Sequence, residues 1–107
     1  MSRNRLPDRR HALTETIEFE GRRWNVQIGF YPDGRPGEVF ADGVKTGSSM
    51  EALIDDSCVM LSLLLQWGCP PADLYAHLAR EGNDTASPAA SLIGVLALKI
   101  AEVESVG

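Results

Sequence analysis

Cysteine is scarce in this 107-residue sequence, which contains only Cys58 and Cys69. Two cysteines cannot form the disulfide framework of a small secreted domain. No apolar run reaches the roughly 18 residues that a membrane-spanning helix needs. The polar, arginine-rich start also lacks the apolar centre of a secretory signal. We therefore expect a cytoplasmic protein that does not enter a membrane.

Basic residues are also few, with 10 against 15 acidic ones and a net charge of −5. Residues 1–12 nevertheless carry four arginines and one acid, whereas residues 13–107 carry six basic and fourteen acidic side chains. This balance argues against a nucleic-acid partner. It predicts a flexible basic arm over 1–12 and a single domain over 13–107, since the arm has too few apolar groups to order itself.

Alternating apolar residues predict three strands in the first half of the chain. Ile17 and Phe19 alternate with glutamates, and a second alternating run extends from Trp24 to Phe30. A glycine-containing connection separates these two runs, and Pro32-Asp33-Gly34 has the composition of a turn. A third strand is expected over residues 38–41. The pattern indicates an antiparallel three-stranded meander with one face to be covered.

Three helices are expected to cover that face. Ser48 and Glu51 have capping-box spacing, and the helix that they begin should extend to about Trp67, before Gly68. A short second helix is expected from residue 72 to about residue 80. The third should begin at Ser87-Pro88 and extend to about residue 103. The fold class predicted is α+β, in the order β-β-β-α-α-α with the helices on one face.

The long helix has an unusually narrow polar stripe. At 100° per residue five of its polar side chains fall within an arc of about 60°. They are Ser48, Glu51, Asp55, Ser62 and Gln66. Most other positions are apolar, so we expect this helix to be buried on most sides and to form the centre of the fold.

No catalytic constellation or metal-binding pattern emerges from the sequence. If the long helix is intact, Cys58 and Cys69 lie about 16 Å apart along its axis, too far for a disulfide. No zinc-ligand or Cys-x-x-Cys spacing occurs, and no nucleophile elbow surrounds a serine. We therefore predict no catalytic residues, no metal site and no cofactor.

Ligand binding remains open at a few charged residues. Arg9 and Arg10 in the arm, and Arg22 and Arg23 at the start of the second strand, could hold a phosphate group, with a nucleotide as a possible ligand. The alternative is that the arm is a solvated tail. Asp56 falls beside apolar helix positions. If buried, it needs a partner or a raised pKa; near the helix start it is equally compatible with a solvated, dipole-stabilised acid.

The sheet leaves two edges and an uncovered back face. Val39 and Phe40 are adjacent, so both faces of the third strand carry an apolar residue. We expect the chain to associate with itself, through a sheet or helix surface, or with a partner protein.

Three stretches resemble the TSCPD domain, which is best known near the C-terminus of adenosylcobalamin-dependent ribonucleotide reductases. They are residues 33–40, residues 45–48, and the segment 64–70 with its Gly68-Cys69-Pro70 step. The resemblance covers roughly residues 14–101. The arm, from Arg5 to Arg10, is also similar to that of short stand-alone bacterial members. The resemblance implies descent from, or association with, the reductase.

The pentapeptide that names the family falls best on residues 85–89, where Ser87 replaces the cysteine and Ala89 the aspartate. A reactive thiol is therefore missing at that position. The reductase reaction needs a radical-bearing cysteine, a reducing cysteine pair and a cofactor site in a large barrel. The resemblance thus implies a non-catalytic accessory or interaction domain. The alternatives are a sensor domain that binds a nucleotide or another phosphate ligand, and a fragment of a ribonucleoside-diphosphate reductase that needs a partner chain.

Overall fold

The computed structural model describes residues 2–43, 47–78, 80 and 88–106, without the side chains of the last two. It has the predicted α+β architecture, with three antiparallel strands followed by three helices. The elements are β1 (Ala12–Phe19), β2 (Arg22–Phe30), β3 (Pro36–Asp42), α1 (Ser49–Gln66), α2 (Pro71–His77) and α3 (Leu92–Val106).

The sheet is a meander in the order β1-β2-β3. Glu20 and Gly21 connect β1 to β2 with φ values of 51° and 76°. Two positive φ values give a turn whose twist matches that of the flanking strands, and glycine adopts this conformation without strain. Trp24, Val26 and Ile28 point to one face, where all three are buried, as the alternation of residue types predicts.

The helices form one layer on that apolar face. α1 packs against β3, α3 contacts both β3 and α1, and α2 packs against α3. Ile28, Val39, Leu96 and Ile100 are almost completely buried between the two layers. Lys99 on α3 donates to Glu15 on β1 at 2.6 Å, which fastens the far side of the layer to the sheet. No helix in the described part of the chain is long and apolar enough to cross a bilayer.

The polar stripe predicted for α1 does not face solvent at the C-terminal end of the helix, where Ser62 and Gln66 are buried. The reason is that α1 lies along the open edge of β3. The backbone N–H of Val39 donates to Ser62 Oγ at 2.9 Å, and Gln66 Nε2 donates to the Gly37 carbonyl at 3.0 Å. Four helical residues advance about 6.0 Å and two strand residues about 6.6 Å, so the two repeats stay in step. The polar residues of α1 thus pair with backbone groups that an edge strand would otherwise expose.

The prediction that α1 is buried on most sides is also wrong. Its buried apolar residues are Ile54, Cys58, Leu61 and Leu65. A second set of large apolar side chains on the helix is exposed, and it comprises Met50, Leu53, Val59, Met60, Leu64 and the C-capping Trp67. The prediction of a largely apolar helix is therefore correct, but only one side of the helix packs against the rest of this chain.

α1 begins where the sequence predicts, whereas α2 ends and α3 begins at residues other than the predicted ones. The Glu51 N–H donates to Ser48 Oγ at 3.2 Å, as the capping box predicts. α2 ends at His77, because Leu78 is extended with ψ of 158°. α3 begins at Leu92, where the Gly94 N–H donates to the side chain of Ser91 at 3.1 Å. Pro88 precedes that helix rather than opening it, and the predicted cap Ser87 lies outside the described residues.

Candidate functional site

The basic arm crosses the end of the sheet and contacts the body of the protein at several points. The Asn4 N–H donates to the Gln66 carbonyl at 2.9 Å, and Arg3 Nε donates to Gln66 Oε1 at 2.7 Å. The hydroxyl of the buried Tyr31 donates to the Asn4 carbonyl. Leu6 lies half-buried against Gly37, where a larger residue would collide with both Leu6 and Tyr31. Gln66, at the end of α1, therefore contacts both the arm and β3.

A buried carboxylate anchors the second half of the arm. Glu38 on β3 is 7% exposed, and both of its oxygens accept from Arg10, through Nε and through Nη2 at 3.1 Å. Gly29 pairs with Glu38 across the strands, and a β-carbon there would come within 2.7 Å of the glutamate Cγ. The glycine thus makes room for an ion pair on the outer face of the sheet.

Two open hollows lie beside this ion pair. One, of about 400 Å³, is lined by Arg9, Arg10, His11, Phe30 and Pro32. The other, of about 350 Å³, is lined by Arg3, Arg5, Leu6, Asp8, Arg10, Glu38 and Gln66. Guanidinium groups match the geometry of phosphate and carboxylate oxygens, so the first hollow, which has arginines and no acid in its lining, suits an anion. In the second hollow Asp8 and Glu38 offset part of the arginine charge.

The structure does not bring the five predicted ligand-binding residues together. Arg9 and Arg10 lie just before β1, whereas Arg22 and Arg23 lie on β2 opposite the last two residues of β1, roughly 25 Å away along the strand. Arg23 is exposed and pairs with Glu18 at 3.4 Å. Asp56 is exposed on α1, which is the solvated alternative for this acid. A shared anion site can therefore involve the arm pair or the strand pair, but not both.

The two thiols are free and differ in environment. Cys58 is 2% exposed, and burial raises its pKa to about 11, against a hydrogen bond from the backbone of Ala41. Cys69 is half-buried, with its Sγ 3.8 Å from the Pro70 carbonyl oxygen. The unbroken α1 keeps the two cysteines apart, as predicted. Within the described ranges, no three His, Cys, Asp or Glu side chains are grouped as a metal site would require.

We expect the Cys58 thiol to make the protein less stable at high pH. Its folded-state pKa of about 11 lies above the unfolded value near 9, so above pH 9 the unfolded chain loses a proton that the folded chain retains. The free energy of unfolding should fall by about 1.4 kcal/mol per pH unit between pH 9 and 11. Urea titrations of the wild type and of Cys58→Ala measure this slope. Equal slopes in the two proteins would contradict the assignment.

Sequence reasoning missed two residues that shape this region, Glu38 and Gln66. The sequence places Glu38 in a strand and Gln66 in a polar stripe, and both fall in stretches that resemble the family, but no local pattern predicts a contact with the arm. Burial of Glu38 depends on Arg10, which is 28 residues away, and Gln66 meets Arg3 across 63 residues. The one local signal is Gly29, because a glycine inside a strand often marks a close approach.

The comparisons with known proteins agree on one family. The TSCPD domain matches residues 2–102. "Vitamin B12-dependent ribonucleotide reductase" of Rhodopirellula baltica is 41% identical over 68 residues, which are 64% of this chain and 6% of the relative. The enzyme of the same name from Bradyrhizobium diazoefficiens is 32% identical over 100 residues, 85% of this chain and 8% of the relative. No solved structure matches.

The chain thus spans less than a tenth of the length of these relatives. Of the pentapeptide that names the family, residues 85–87 lie outside the described part of the chain, and Ala89 is buried in a bridge to Arg80. The family match extends over almost the whole sequence and includes the arm, the sheet, the first two helices and most of α3. The chain belongs to the TSCPD domain family.

Proposed function

We propose that this chain is an accessory domain of the B12-dependent ribonucleotide reductase type, which acts by binding protein and supplies no reacting group. The observation that carries the proposal is the match over residues 2–102 to the domain family, together with reductase relatives of which the matched segment forms only 6% and 8%. A segment that forms so small a share of an enzyme is more readily a module attached to the catalytic body than the body itself.

The environment of the cysteines supports this proposal. The resemblance implies a reaction that needs a radical-bearing cysteine and a reducing pair. Here Cys58 is buried, and its raised pKa keeps it in the unreactive thiol form. Cys69 has no second thiol near it in the described residues.

The residues also do not fit the cofactor named for the relatives. A corrin ring is a broad, largely apolar macrocycle, and cofactor sites are enclosed and mainly apolar. The two hollows beside the arm are open, and charged side chains, among them four different arginines, form much of their lining. In this proposal the chain contributes nothing to a B12-dependent step. We propose a cytoplasmic location as well, because both thiols are free and oxidising compartments favour disulfides.

The experiment that tests the proposal compares turnover with binding. The purified chain, with adenosylcobalamin, ribonucleotides and a dithiol reductant, should form no deoxyribonucleotide. Titrated calorimetrically into the reductase of the organism that makes it, the same chain should bind at micromolar concentration. Product formation by the chain alone would overturn the proposal, and so would the absence of heat on mixing with a reductase preparation of verified activity.

A second candidate function, sensing of a nucleotide or another phosphate ligand, is favoured by the arginine-lined hollows of the arm. A ligand that binds only the native state raises its stability, by about 2.7 kcal/mol at a concentration of 100 Kd. Deoxynucleoside triphosphates at millimolar concentration should then raise the melting temperature. Arg9→Ala should abolish the shift, and Arg23→Ala, at the far end of the hairpin, should preserve it. No shift in the wild type would exclude this function.

A further inference from the structure

The exposed side of α1 carries a regular apolar stripe. Its residues are Met50, Leu53, Ser57, Met60, Leu64 and Trp67. They follow one another at alternating intervals of three and four, which is the spacing of residues along the seam between two packed helices. The five apolar members are between 44% and 59% exposed, and Ser57 is half-buried. The buried side of the same helix has its own stripe, so α1 carries one apolar seam toward the sheet and another toward solvent.

We infer that this stripe binds a second copy of the chain, with the two α1 helices antiparallel. The inference rests on the proposed protein-binding role and names one partner for it. A stripe spaced 3-4-3-4-3 reads the same in both directions, so a two-fold axis through its middle makes it self-complementary. Met50 then meets Trp67 of the partner subunit, Leu53 meets the partner's Leu64, and the small Ser57 meets the partner's Met60. Each large side chain faces one it can pack with, and a thioether beside an indole is a favourable contact.

The charges on α1 favour the antiparallel direction. Glu51, Asp55 and Asp56 all lie in its first half, and the helix has no lysine or arginine. Only Asp56 flanks the stripe, about 70° from its centre at 100° per residue, whereas Glu51 and Asp55 lie on the opposite side of the helix. In a parallel pair the two Asp56 side chains would lie at the same level, and in the antiparallel pair they are about 7.5 Å apart along the axis. The antiparallel arrangement also opposes the two helix dipoles.

The exposed area is sufficient for a dimer. Five large side chains that are about half exposed present on the order of 500 Å² per copy. Two copies would bury roughly 1,000 Å², which is the lower bound for a specific protein interface, and the rim of the helix adds to it. A patch of this size lies toward the upper end of what a soluble monomer exposes, and patches of this kind often have a function.

The sheet is a less suitable surface for self-association. The edge of β3 is covered by α1, whose Ser62 and Gln66 occupy its backbone groups. The outer face of the sheet carries Thr14, Thr16, Asn25 and Gln27, all exposed and polar, around the exposed Phe40. A single aromatic residue among polar neighbours is normal for a monomer surface.

Light scattering on the full chain at micromolar concentration should give a mass of twice 11.6 kDa. Leu64→Glu places a charge in the stripe and should raise the dissociation constant at least a hundredfold, giving a monomer. Val59→Glu is the matched control, since Val59 is an exposed apolar residue of the same helix outside the stripe, and it should remain dimeric. Circular dichroism checks that both variants are folded. A wild type with the mass of one chain would overturn the inference.

Cross-linking tests the direction. In a Cys69→Ser background, Leu53→Cys and Leu64→Cys are made as separate proteins, mixed and oxidised. The antiparallel pair predicts a disulfide between the two variants and none within either alone, because identical positions are about 16 Å apart along the axis. Dimers of Leu53→Cys alone would contradict the antiparallel arrangement. If the wild type is a monomer that still binds the reductase, this inference fails while the proposed function stands.

Discussion

Arg10→Ala is expected to lower the free energy of unfolding by about 2 kcal/mol, because it leaves the Glu38 carboxylate buried without its cation. Arg10 is itself partly exposed, so the cost should fall below that of a fully buried ion pair. Chemical denaturation monitored by tryptophan fluorescence measures it. Arg9→Ala is the matched control, since Arg9 has the same charge but makes no ion pair with any residue that the structure describes. It should change stability by less than about 0.5 kcal/mol.

A double-mutant cycle with Glu38→Gln separates the ion pair from other effects of the arm. The coupling free energy between Arg10 and Glu38 should be about 1–2 kcal/mol. Equal effects of Arg9→Ala and Arg10→Ala, or additive single variants, would show that the arm is not held by this contact.

Leu96→Ala should have a still larger effect, about 3 kcal/mol. Leu96 is completely buried on α3, at the centre of the layer between helices and sheet. Truncation removes buried apolar area and leaves a cavity that the sheet cannot close. The melting temperature should fall by roughly 15 °C, given the entropy of unfolding of a domain of this length.

Val59→Ala provides the comparison for Leu96→Ala, since Val59 is half exposed on α1. Its cost should be below about 1 kcal/mol. If both substitutions cost the same, the centre of the core would have to lie elsewhere than between α3 and the sheet.

The elements of this fold could be predicted from the sequence because their signals are local. The alternation from Trp24 to Phe30 gives β2, and Gly21 and Gly68 adopt the positive φ values that their turn and helix end require. Ser48 caps α1 at the predicted residue. Each of these features depends on residues only a few positions away, so a short stretch of sequence is enough to predict it.

The placement of α1 could not be predicted in the same way. A helical wheel ranks sides by hydrophobicity, and by that measure Ser62 and Gln66 belong in solvent. They are buried because β3 offers them backbone partners at matching intervals, and no property of the helix alone reveals which edge it will meet. Apolar residues on two sides of α1 led to the prediction of burial on most sides, but within this chain only one of those sides is buried.

The region around the arm shows the same limit. The sequence indicates a cluster of arginines at 3–10, but the carboxylate that holds Arg10 lies on β3 and the amide that holds Arg3 lies on α1. Such contacts join residues far apart in the chain, and only the assembled sheet and helix bring them together. Arg22 and Arg23 looked equivalent to the arm pair in the sequence, yet the hairpin separates the two pairs by the length of β1.

The most direct test of the central claim is a measurement of the reductase with a chain that has no thiol. Cys58→Ala/Cys69→Ser removes both cysteines of the sequence. We expect the double variant to bind the reductase with the same dissociation constant as the wild type, within a factor of about three, and to have the same effect on reductase turnover. Wild-type binding with a loss of that effect would mean that a thiol of this chain takes part in the chemistry, which would contradict an accessory role through protein contact alone.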